Sequence, residues 1–505
     1  MELTFGELVA ATGARALSGD AELRLCGVGT DSRRASAGEL FAALSGPRFE
    51  GHRYAADAVE RGARAVLLPE SAGDAARDLA QRVAVALVPD VLDGLWDLAR
   101  WHRSRLTATV VGITGSSGKT TTKGITARLL AERLRVAASP LSYNNQVGVP
   151  LTLFLAGAAT EALVVELGTS GPGEIERLSQ LAAPHVGVLT NIGPAHLEGL
   201  GSMEGVAREK TSLGAALRSD GVLVHDANCR FAPYVRARTG ARLVDFAVDG
   251  DAAFQARDLY FHDGGTSFRL LVAPEWAGSG PRELDVASPL LGTHNVQNLL
   301  AALAACRAAG LELEEVLPAV RDLEGGRQRM ERHEFDGLTV FDDAYNANPA
   351  SAAAAVRVLG GLHGFRRRVL VLGEMLELGT SSDELHREVG RLVARSAVDL
   401  FVAVGPRAQP AAEGAREAGL GANQVRTLAS AELALTEVPE WVEKGDVVLV
   451  KASRALALER LVDRLAQRFG RGGGRRVGAV GAAAPVPAIA PHRAGTPPWP
   501  TSEAR

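Results

Sequence analysis

The stretch Thr114-Gly115-Ser116-Ser117-Gly118-Lys119-Thr120-Thr121 indicates the fold of this 505-residue chain. It follows the apolar run 108–113 and precedes residues 123–133, whose pattern predicts a helix. A strand, a glycine-rich turn and a helix in this order form a phosphate-binding loop, because the amides of the turn and the helix N-terminus both attract anions. In such a loop Lys119 reaches the outer phosphates and the Thr120 hydroxyl ligates Mg²⁺. The sequence therefore predicts a nucleotide phosphate site at residues 115–121.

This loop departs from the generic P-loop pattern at one position. The generic pattern has a glycine where this chain has Ile113, so the motif here is the shorter Gly-x-x-Gly-Lys-Thr. The alternative is a Gly/Ser turn that carries a lysine by chance. The strand before the loop and the helix after it favour the phosphate site.

The amino-acid composition is that of an ordinary globular protein and argues against nucleic acid or an anionic membrane as the main partner. Hydrophobic residues make up 46% of the chain and charged residues 23%, and a length of 505 residues suggests about three domains. The formal net charge of −4 gives no electrostatic basis for binding nucleic acid or an anionic membrane. Any anionic ligand must therefore be held by local groups.

The cysteines and the termini indicate the compartment. Cys26, Cys229 and Cys306 lie far apart, without the spacing of a disulfide framework or a zinc site. The N-terminus lacks the basic and apolar segments of a signal peptide, and no apolar run is long enough to span a bilayer. We therefore expect a cytoplasmic protein without membrane insertion. The Gly-, Ala- and Pro-rich residues 470–505 are expected to form a disordered tail.

The order of predicted elements gives an α/β fold with three domains. Residues 1–106 have the pattern of a small α/β unit. Residues 107–323 alternate apolar strands with helices, which predicts a P-loop-type parallel sheet, and a more polar β-like interval at 252–290 interrupts this alternation. A third alternating set occupies residues 324–469.

Polar residues follow several strands of the predicted central sheet. Glu166 ends an apolar strand, so it is either a magnesium ligand at the carboxyl edge of the sheet or a solvated strand-end glutamate. A lone histidine or lysine is usually a surface residue. His196 and Lys210 are nevertheless candidates, because both follow strands that should open onto the same edge as Thr120 and Glu166.

The third domain carries two further candidate groups. The run Asp343-Ala344-Tyr345-Asn346 ends a strand with a carboxylate, an aromatic ring and an amide, which could bind a ribose or a base. The alternative is an ordinary turn rich in Asp and Asn. Arg327 lies at the domain junction, where it could stabilise the charge on a transferring phosphate, although most arginines are simply solvated.

With these motifs the sequence resembles the Mur ligase family over nearly the whole chain, to about residue 469. The motifs that carry the resemblance are residues 30–33, 114–123, 143–153, 173–175, 195–198, 294–298, 343–349 and 372–379. The loop followed by Lys123, the run 345–349 and the run 374–378 are similar to the branch that adds D-alanyl-D-alanine to UDP-N-acetylmuramoyl-tripeptide. The resemblance implies an ATP-dependent amide ligase of peptidoglycan precursor synthesis, and thereby of cell wall biogenesis, cell shape and cell division.

The resemblance also implies the domain roles and the metal ligands. The N-terminal domain would bind the UDP end of the substrate, the central domain would bind ATP, and the C-terminal domain would be Rossmann-like. Thr120 and Glu166 would hold one Mg²⁺, and His196 would hold a second together with a carbamylated Lys210. A carbamate offers a hard cation an anionic oxygen, which a lysine amine does not.

The remaining contacts follow from the same resemblance. The residues implied to contact ATP are Asn298, Arg327, Asp343, Tyr345 and Asn346 together with the phosphate loop, and those implied to contact the UDP-sugar are Asp31, Ser32, Arg33 and Asn145. Lys119, His196, Lys210 and Arg327 would act in catalysis. We expect a monomer.

The chain departs from the family pattern in two places. It has Lys451-Ala452-Ser453-Arg454 where the family usually has Lys-Gly-Ser-Arg, and alanine fits only if that backbone does not need a positive φ. It also has Thr169-Ser170 where relatives often carry an Asn-His pair.

Three other functions are compatible with parts of the sequence. Another Mur ligase or a folylpolyglutamate synthase would share the ATP chemistry, but the runs 345–349 and 374–378 argue against both. A non-catalytic ATP-binding regulator would be expected to have lost Lys119, His196 or Lys210, and all three are present.

Overall fold

A computed structural model describes residues 1–47, 49–262, 265–280, 282–470 and 475–476. The predicted tail, residues 470–505, lies outside the described residues except for Gly470 and Arg475–Arg476. The described residues form two compact units. Unit 1 comprises Met1–Val224, Pro233–Leu243 and Ala308–Leu311, and unit 2 comprises His225–Ala232, Val244–Arg307 and the described residues from Glu312 onward. The domain boundaries at 106, 323 and 469 stay predictions.

The N-terminal part is a small α/β unit. Its strands are β1 (Glu2–Thr4), β2 (Arg15–Ser18), β3 (Arg24–Cys26), β4 (Val28–Gly29), β5 (Leu40–Ala42), β6 (Ala65–Pro69) and β7 (Ala84–Val88), and its helices are α1 (Phe5–Thr12), α2 (Ala55–Glu60), α3 (Gly73–Leu79) and α4 (Val91–Ser104). The main sheet has the order β2-β7-β6-β5-β4, in which β4 to β7 are parallel and β2 is antiparallel to β7. β6 and β7 are apolar and almost wholly buried, as expected for parallel strands covered on both faces.

The central part continues the alternation of strands and helices. Its strands are β8 (Thr109–Thr114), β9 (Val136–Ala138), β10 (Ala162–Glu166), β11 (Val186–Leu189), β12 (Val222–Asp226), β13 (Arg242–Val248), β14 (Phe254–His262), β15 (Gly265–Val272) and β16 (Glu283–Ser288). Its helices are α5 (Lys119–Leu130), α6 (Gly148–Phe154), α7 (Glu174–Ala182), α8 (Leu197–Leu200), α9 (Met203–Ala215), α10 (Ala232–Arg238), α11 (Pro274–Ala277), α12 (Thr293–Ala308) and α13 (Leu313–Val316).

These strands form a sheet with the order β16-β15-β14-β13-β12-β11-β8-β10-β9. β8 lies between β10 and β11 and is parallel to both, so the carboxyl ends of all three strands meet at one edge. The polar interval at 252–290 contains β14, β15 and β16, which pair antiparallel. The sheet therefore has the predicted parallel core, and the polar β-like interval forms an antiparallel extension of it, which the sequence did not predict.

The C-terminal part has its own sheet and core. Its strands are β17 (Glu331–Phe335), β18 (Leu338–Asp343), β19 (Arg368–Gly373), β20 (Leu400–Val404), β21 (Val425–Leu428), β22 (Val447–Lys451) and β23 (Arg475–Arg476), and its helices are α14 (Pro349–Gly361), α15 (Ser382–Ala394), α16 (Gln409–Glu417), α17 (Ala431–Trp441) and α18 (Glu459–Phe469). The sheet order is β21-β20-β19-β22-β18-β17-β23, and the strands from β21 to β18 are parallel. Separate apolar clusters pack on this sheet, one containing Phe341 and Phe401 and the other Val340 and Val402.

The α/β class with mostly parallel sheets is confirmed, but the predicted bounds of the helix after the phosphate loop, 123–133, were wrong at both ends, since this helix ends at Leu130. The helix after the phosphate loop begins at Lys119, four residues before the predicted start. The prediction left Lys119 to Thr122 outside the helix, because it assigned Lys119 and Thr120 to the phosphate loop. Their backbone is helical because Gly118, with φ of 78°, forms the N-cap. No helix in the described part of the chain has both the length and the apolarity that a membrane span requires.

Candidate active site

The phosphate loop lies at the carboxyl end of β8, where its first glycine is sterically required. Gly115 has φ of 152°, and a Cβ at this position would lie 1.9 Å from Thr190 Oγ1. Ser116 and Ser117 continue the turn, and Lys119 begins α5. The loop therefore presents the N-terminus of a helix of 12 residues at the sheet edge, which is the geometry of an anion site.

The residues after β11 hold the loop in shape. Asn191 Oδ1 accepts the Ser117 N–H at 3.0 Å, and Thr190 Oγ1 donates to the Ser117 carbonyl at 2.6 Å. Ser116 Oγ donates to the Gly193 carbonyl at 2.8 Å. The sequence did not predict these contacts between residues 190–193 and the loop, because the pairing of β8 with β11 is a tertiary feature.

Two lysines converge on one carbonyl of the loop. Nζ of Lys119 donates to the Gly115 carbonyl at 2.8 Å, and Nζ of Lys210 donates to the same oxygen at 3.1 Å. Lys210 lies in α9 and is 1% exposed. Burial lowers the pKa of Lys210 well below its ordinary value, and the charge of Lys119 lowers it further. The alternative interpretation of Lys210 as an ordinary surface residue is therefore excluded.

Glu166 ends β10 as a buried carboxylate that is only partly satisfied. It is 1% exposed, so the interpretation as a solvated strand-end glutamate is excluded. Its Oε1 accepts a hydrogen bond from Asn144 Nδ2 at 2.8 Å, and its Oε2 lies 3.6 Å from Lys123 Nζ. Oε2 has no hydrogen-bond partner among the described residues. A buried oxygen in this state suits a cation ligand.

The segment between β9 and α6 approaches the same groups, and the sequence analysis did not predict the roles of Ser139, Leu141 and Ser142 in it. Ser142 Oγ lies 3.1 Å from Thr120 Oγ1, and Lys123 Nζ donates to Ser139 Oγ at 3.1 Å and to the Leu141 carbonyl at 2.6 Å. One sequence feature could have pointed to this segment: Asn144 directly precedes the predicted substrate residue Asn145 in a family motif.

His196 lies in the loop after β11 that also supports the phosphate turn. Its φ is 53°, a left-handed conformation that is uncommon for residues other than glycine, and its carbonyl accepts the N–H groups of Gly199 and Leu200. The side chain is half-buried. The structure thus brings the loop residues, Thr120, Glu166 and Lys210 together in unit 1, with His196 on the loop that follows β11.

The predicted nucleotide residues of the C-terminal part lie in unit 2. Asp343 ends β18 and accepts a hydrogen bond from Lys451 Nζ at 2.6 Å, and Lys451 also donates to the Asn346 carbonyl at 3.2 Å. Lys451 is 2% exposed. Ala452 is not among the described non-glycine residues with positive φ, so alanine meets the backbone condition at this position.

Arginines cover the Tyr345 ring. The guanidinium of Arg329 lies 4.2 Å from the ring centroid and that of Arg454 lies 5.6 Å from it, distances typical of cation–π contacts. Arg454 also donates to Gln328 Oε1 at 2.8 Å. Arg327 itself is exposed.

The carboxylates of Glu331 and Asp342 support these loops. Glu331 Oε2 accepts the Gln328 N–H at 2.9 Å, and Asp342 Oδ1 accepts the Ala344 N–H at 3.0 Å. Burial, reinforced by Glu331, raises the pKa of Asp342 to about 7. Glu331 therefore fixes the backbone directly after Arg327, and Asp342 fixes the backbone directly before Tyr345.

Asn298 and Asn145 have structural contacts of their own. Asn298 is buried in α12, and its Nδ2 donates to Asn295 Oδ1 at 3.2 Å. Asn145 Oδ1 accepts the N–H groups of Val147 at 3.1 Å and Gly148 at 2.9 Å, so it stabilises the start of α6. Its side chain still reaches solvent, because the residue is exposed.

The predicted UDP-sugar residues form a short 3₁₀ helix at Ser32–Arg34. Asp31 is its N-cap and accepts hydrogen bonds from Arg33 Nε at 2.9 Å and Arg33 Nη2 at 2.8 Å. The Arg33 side chain lowers the pKa of Asp31 to about 2. Ser32 is buried, whereas the Arg33 side chain is 84% exposed. Sequence reasoning did not anticipate that Asp31 and Arg33 pair with each other.

The fold and the site define a nucleotide-binding α/β protein in which a lysine-bearing phosphate loop and a buried carboxylate share one sheet edge. Family profiles agree, since residues 24–100 match "Mur ligase family, catalytic domain", 113–306 match "Mur ligase middle domain" and 328–454 match "Mur ligase, glutamate ligase domain". The UDP-N-acetylmuramoyl-tripeptide--D-alanyl-D-alanine ligase of Bacillus subtilis (strain 168) is 35% identical over 440 residues, which cover 87% of this chain and 93% of the relative. The chain therefore belongs to the Mur ligase family.

Solved structures show the same relationship. A crystal structure of MurF from Acinetobacter baumannii has a TM-score of 0.82 at 29% identity, covering 92% of this chain and 99% of that one. MurF ligase from Thermotoga maritima in complex with ADP has a TM-score of 0.73 at 26% identity, covering 88% of this chain and 98% of that one. The similarity therefore extends across all three family regions.

Proposed function

We propose that this protein is the ATP-dependent ligase that joins D-alanyl-D-alanine to UDP-N-acetylmuramoyl-tripeptide. The observation that carries the proposal is that Lys119 and Lys210 converge on one carbonyl of the phosphate loop, while the partly satisfied Glu166 lies beside Lys123 of the helix that follows this loop. The name of the Bacillus subtilis relative gives the two substrates that we propose. The ADP complex of the Thermotoga maritima neighbour supports the proposal that ATP is the nucleotide.

ATP makes the unreactive peptide carboxylate into an electrophile. The terminal carboxylate oxygen of the tripeptide attacks the γ-phosphorus of ATP, which forms an acyl phosphate and releases ADP. The free amine of D-alanyl-D-alanine then attacks the acyl carbon, the amide bond forms, and inorganic phosphate leaves with loss of the amine proton. Lys119 and Arg327 offset the negative charge of the transferring phosphoryl group.

The residues of unit 1 fit a magnesium site. Thr120 and Glu166 would hold one Mg²⁺, and the buried Oε2 of Glu166 is the observation that supports a cation there. His196 would hold a second ion together with a carbamate formed from CO₂ and the neutral Lys210 amine. Burial favours this neutral amine because it lowers the pKa of Lys210. Bound metal would supply charge neutralisation at the phosphate oxygens.

The other assigned residues bind the two large substrates. Asn298, Asp343, Tyr345 and Asn346 contact ATP, with Lys451 holding the Asp343 carboxylate in place. Asp31, Ser32, Arg33 and Asn145 contact the UDP-sugar. We further propose a cytoplasmic monomer that serves peptidoglycan synthesis, and thereby cell division and cell shape.

Phosphate release with matched substrates tests this function. Purified protein with Mg²⁺ and ATP should release phosphate rapidly only when both UDP-N-acetylmuramoyl-tripeptide and D-alanyl-D-alanine are present, and the product should have the mass of the UDP-linked pentapeptide. Equal turnover with D-glutamate, L-lysine or diaminopimelate in place of the dipeptide would assign the chain to another branch of the family. Lys119→Ala should abolish turnover, whereas Lys444→Ala, which removes an exposed lysine paired with Asp336, should not.

A further inference from the structure

Glu166 lies between Asn144 and Lys123 without forming a hydrogen-bonded ion pair. Its Oε2 is 3.6 Å from Lys123 Nζ, which is longer than an N–H···O hydrogen bond. The side chains of Lys123 and Glu166 are 5% and 1% exposed. Lys123 Nζ donates instead to Ser139 Oγ and to the Leu141 carbonyl.

This open arrangement costs free energy, so it persists only if something prevents the Glu166 carboxylate from contacting the Lys123 ammonium directly. A buried carboxylate oxygen without a donor loses its hydration, and a direct contact with the ammonium would recover part of that cost. Rotation of the Glu166 carboxylate toward Lys123 would make this contact. The Asn144 amide opposes the rotation, because it binds Oε1 at 2.8 Å.

Asn144 is itself fixed by the backbone that directly follows the strand of Glu166. Its carbonyl accepts the Gly168 N–H at 2.7 Å. A Cβ at Gly168 would lie 2.7 Å from Asn144 Cγ, so the glycine leaves the space that the amide fills. The orientation of the Asn144 amide is therefore set by the backbone just after β10.

We propose that Asn144 is a positioning residue that keeps Glu166 from closing onto Lys123, so that Oε2 stays available to a divalent cation. This inference rests on the proposed function, which assigns Glu166 to magnesium. Thr120 is oriented in a similar way, because its hydroxyl lies 3.1 Å from Ser142 Oγ on the same segment.

A double-mutant cycle with direct cation binding tests the inference. Mn²⁺ binding is measured by electron paramagnetic resonance, with and without a non-hydrolysable ATP analogue, for the wild type, Asn144→Ala, Lys123→Met and the double variant. Asn144→Ala should weaken Mn²⁺ binding about 10–100-fold, the range found for residues that orient metal ligands. Adding Lys123→Met should recover a large part of this loss, because the competing ammonium is then absent.

The matched control is Asn228→Ala. Asn228 Nδ2 donates to the Val248 carbonyl at 2.8 Å in unit 2, so this variant loses an equal hydrogen bond and should keep wild-type Mn²⁺ affinity. Circular dichroism checks folding, and Asn144→Ser, whose hydroxyl is too short to reach Glu166, replaces Asn144→Ala if the latter does not fold.

The outcomes separate this inference from the proposed function. Mn²⁺ affinity of Asn144→Ala within twofold of the wild type, or no recovery in the double variant, would overturn the positioning role. A wild-type protein that binds Mn²⁺ as expected but does not ligate the two substrates would overturn the function and leave the role of Asn144 standing.

Discussion

At the scale of single residues, Lys210 shows how the fold changes the chemistry of a common side chain. In water a lysine amine is protonated at neutral pH and does not react with CO₂. In this protein Lys210 is 1% exposed, and both its burial and the charge of Lys119 lower its pKa. The fold thus favours the neutral amine that a carbamate requires.

The first prediction is that Lys210→Ala is nearly inactive and is partly rescued by small carboxylates such as acetate. The reason is that the carboxylate can replace the oxygen ligands of the carbamate. Activity with increasing acetate measures the rescue, and ¹³C NMR with labelled bicarbonate should show a carbamate signal in the wild type that the variant lacks. Full activity without acetate would remove Lys210 from the site.

His386 gives a prediction about pH. It is buried, its Nε2 accepts the Met375 N–H at 3.0 Å, and its Nδ1 donates to the Ser382 carbonyl at 2.7 Å. Burial lowers the pKa of His386 below its ordinary value of about 6.5. The unfolded chain therefore binds a proton that the folded chain does not, and this contribution to stability is present above pH 6.5 and is lost as pH falls below it.

The second prediction is that His386→Gln shows a smaller loss of melting temperature than the wild type between pH 7.5 and pH 5.5. Glutamine can donate and accept the same two bonds but does not titrate. His363→Gln, at an exposed position, should keep the wild-type dependence. Parallel curves for the wild type and His386→Gln would contradict the argument.

At the scale of elements, α7 is stabilised at both ends by side chains from other helices. Glu209 of α9 accepts the N–H groups of Gly173 and Ile175, both at 2.7 Å, at the helix N-terminus. Arg103 of α4 donates to the carbonyls of Ala182 at 2.7 Å and Ala183 at 2.9 Å at its C-terminus. Each charge has the sign that complements the helix dipole.

The third prediction is that Arg103→Met lowers the free energy of unfolding by about 2 kcal/mol, since bonds to a charged donor are lost and the last carbonyls of α7 remain partly buried. Chemical denaturation measures the change. Arg100→Met is the control on the same helix, because Arg100 is 64% exposed and pairs only with nearby Asp97 among the ion pairs of the described residues. A similar loss in both variants would show that α4 itself, and not the cap of α7, is affected.

At the scale of the whole molecule, the chain after the last described strand is predicted to be dispensable. Residues 477–505 are rich in Gly, Ala and Pro, a composition that buries little apolar surface. The fourth prediction is that deleting them leaves turnover and melting temperature unchanged within error. A clear loss of either would mean that this segment contributes to the folded protein or to its activity.

Much of the fold and part of the site could be predicted from local sequence. The apolar runs 162–166 and 400–404 each predict a buried strand, and β10 and β20 have these bounds, because continuous apolar runs bounded by polar residues define buried parallel strands. The phosphate loop was predicted because its glycines and lysine are contiguous. The start of α5 was missed, since Lys119 and Thr120 of the loop motif also form the first turn of the helix, which begins directly after the left-handed Gly118.

The sequence by itself determined the α/β class, the phosphate loop and the family, because each depends on residues that are neighbours along the chain. Only the tertiary structure decided that Lys210 and Glu166 are buried beside that loop, and that Asn144 and Lys123 lie on either side of Glu166. These contacts join residues up to 95 positions apart, as between Lys210 and Gly115. Burial and distance set the charge state of such groups, and both arise only when separate strands and helices pack together.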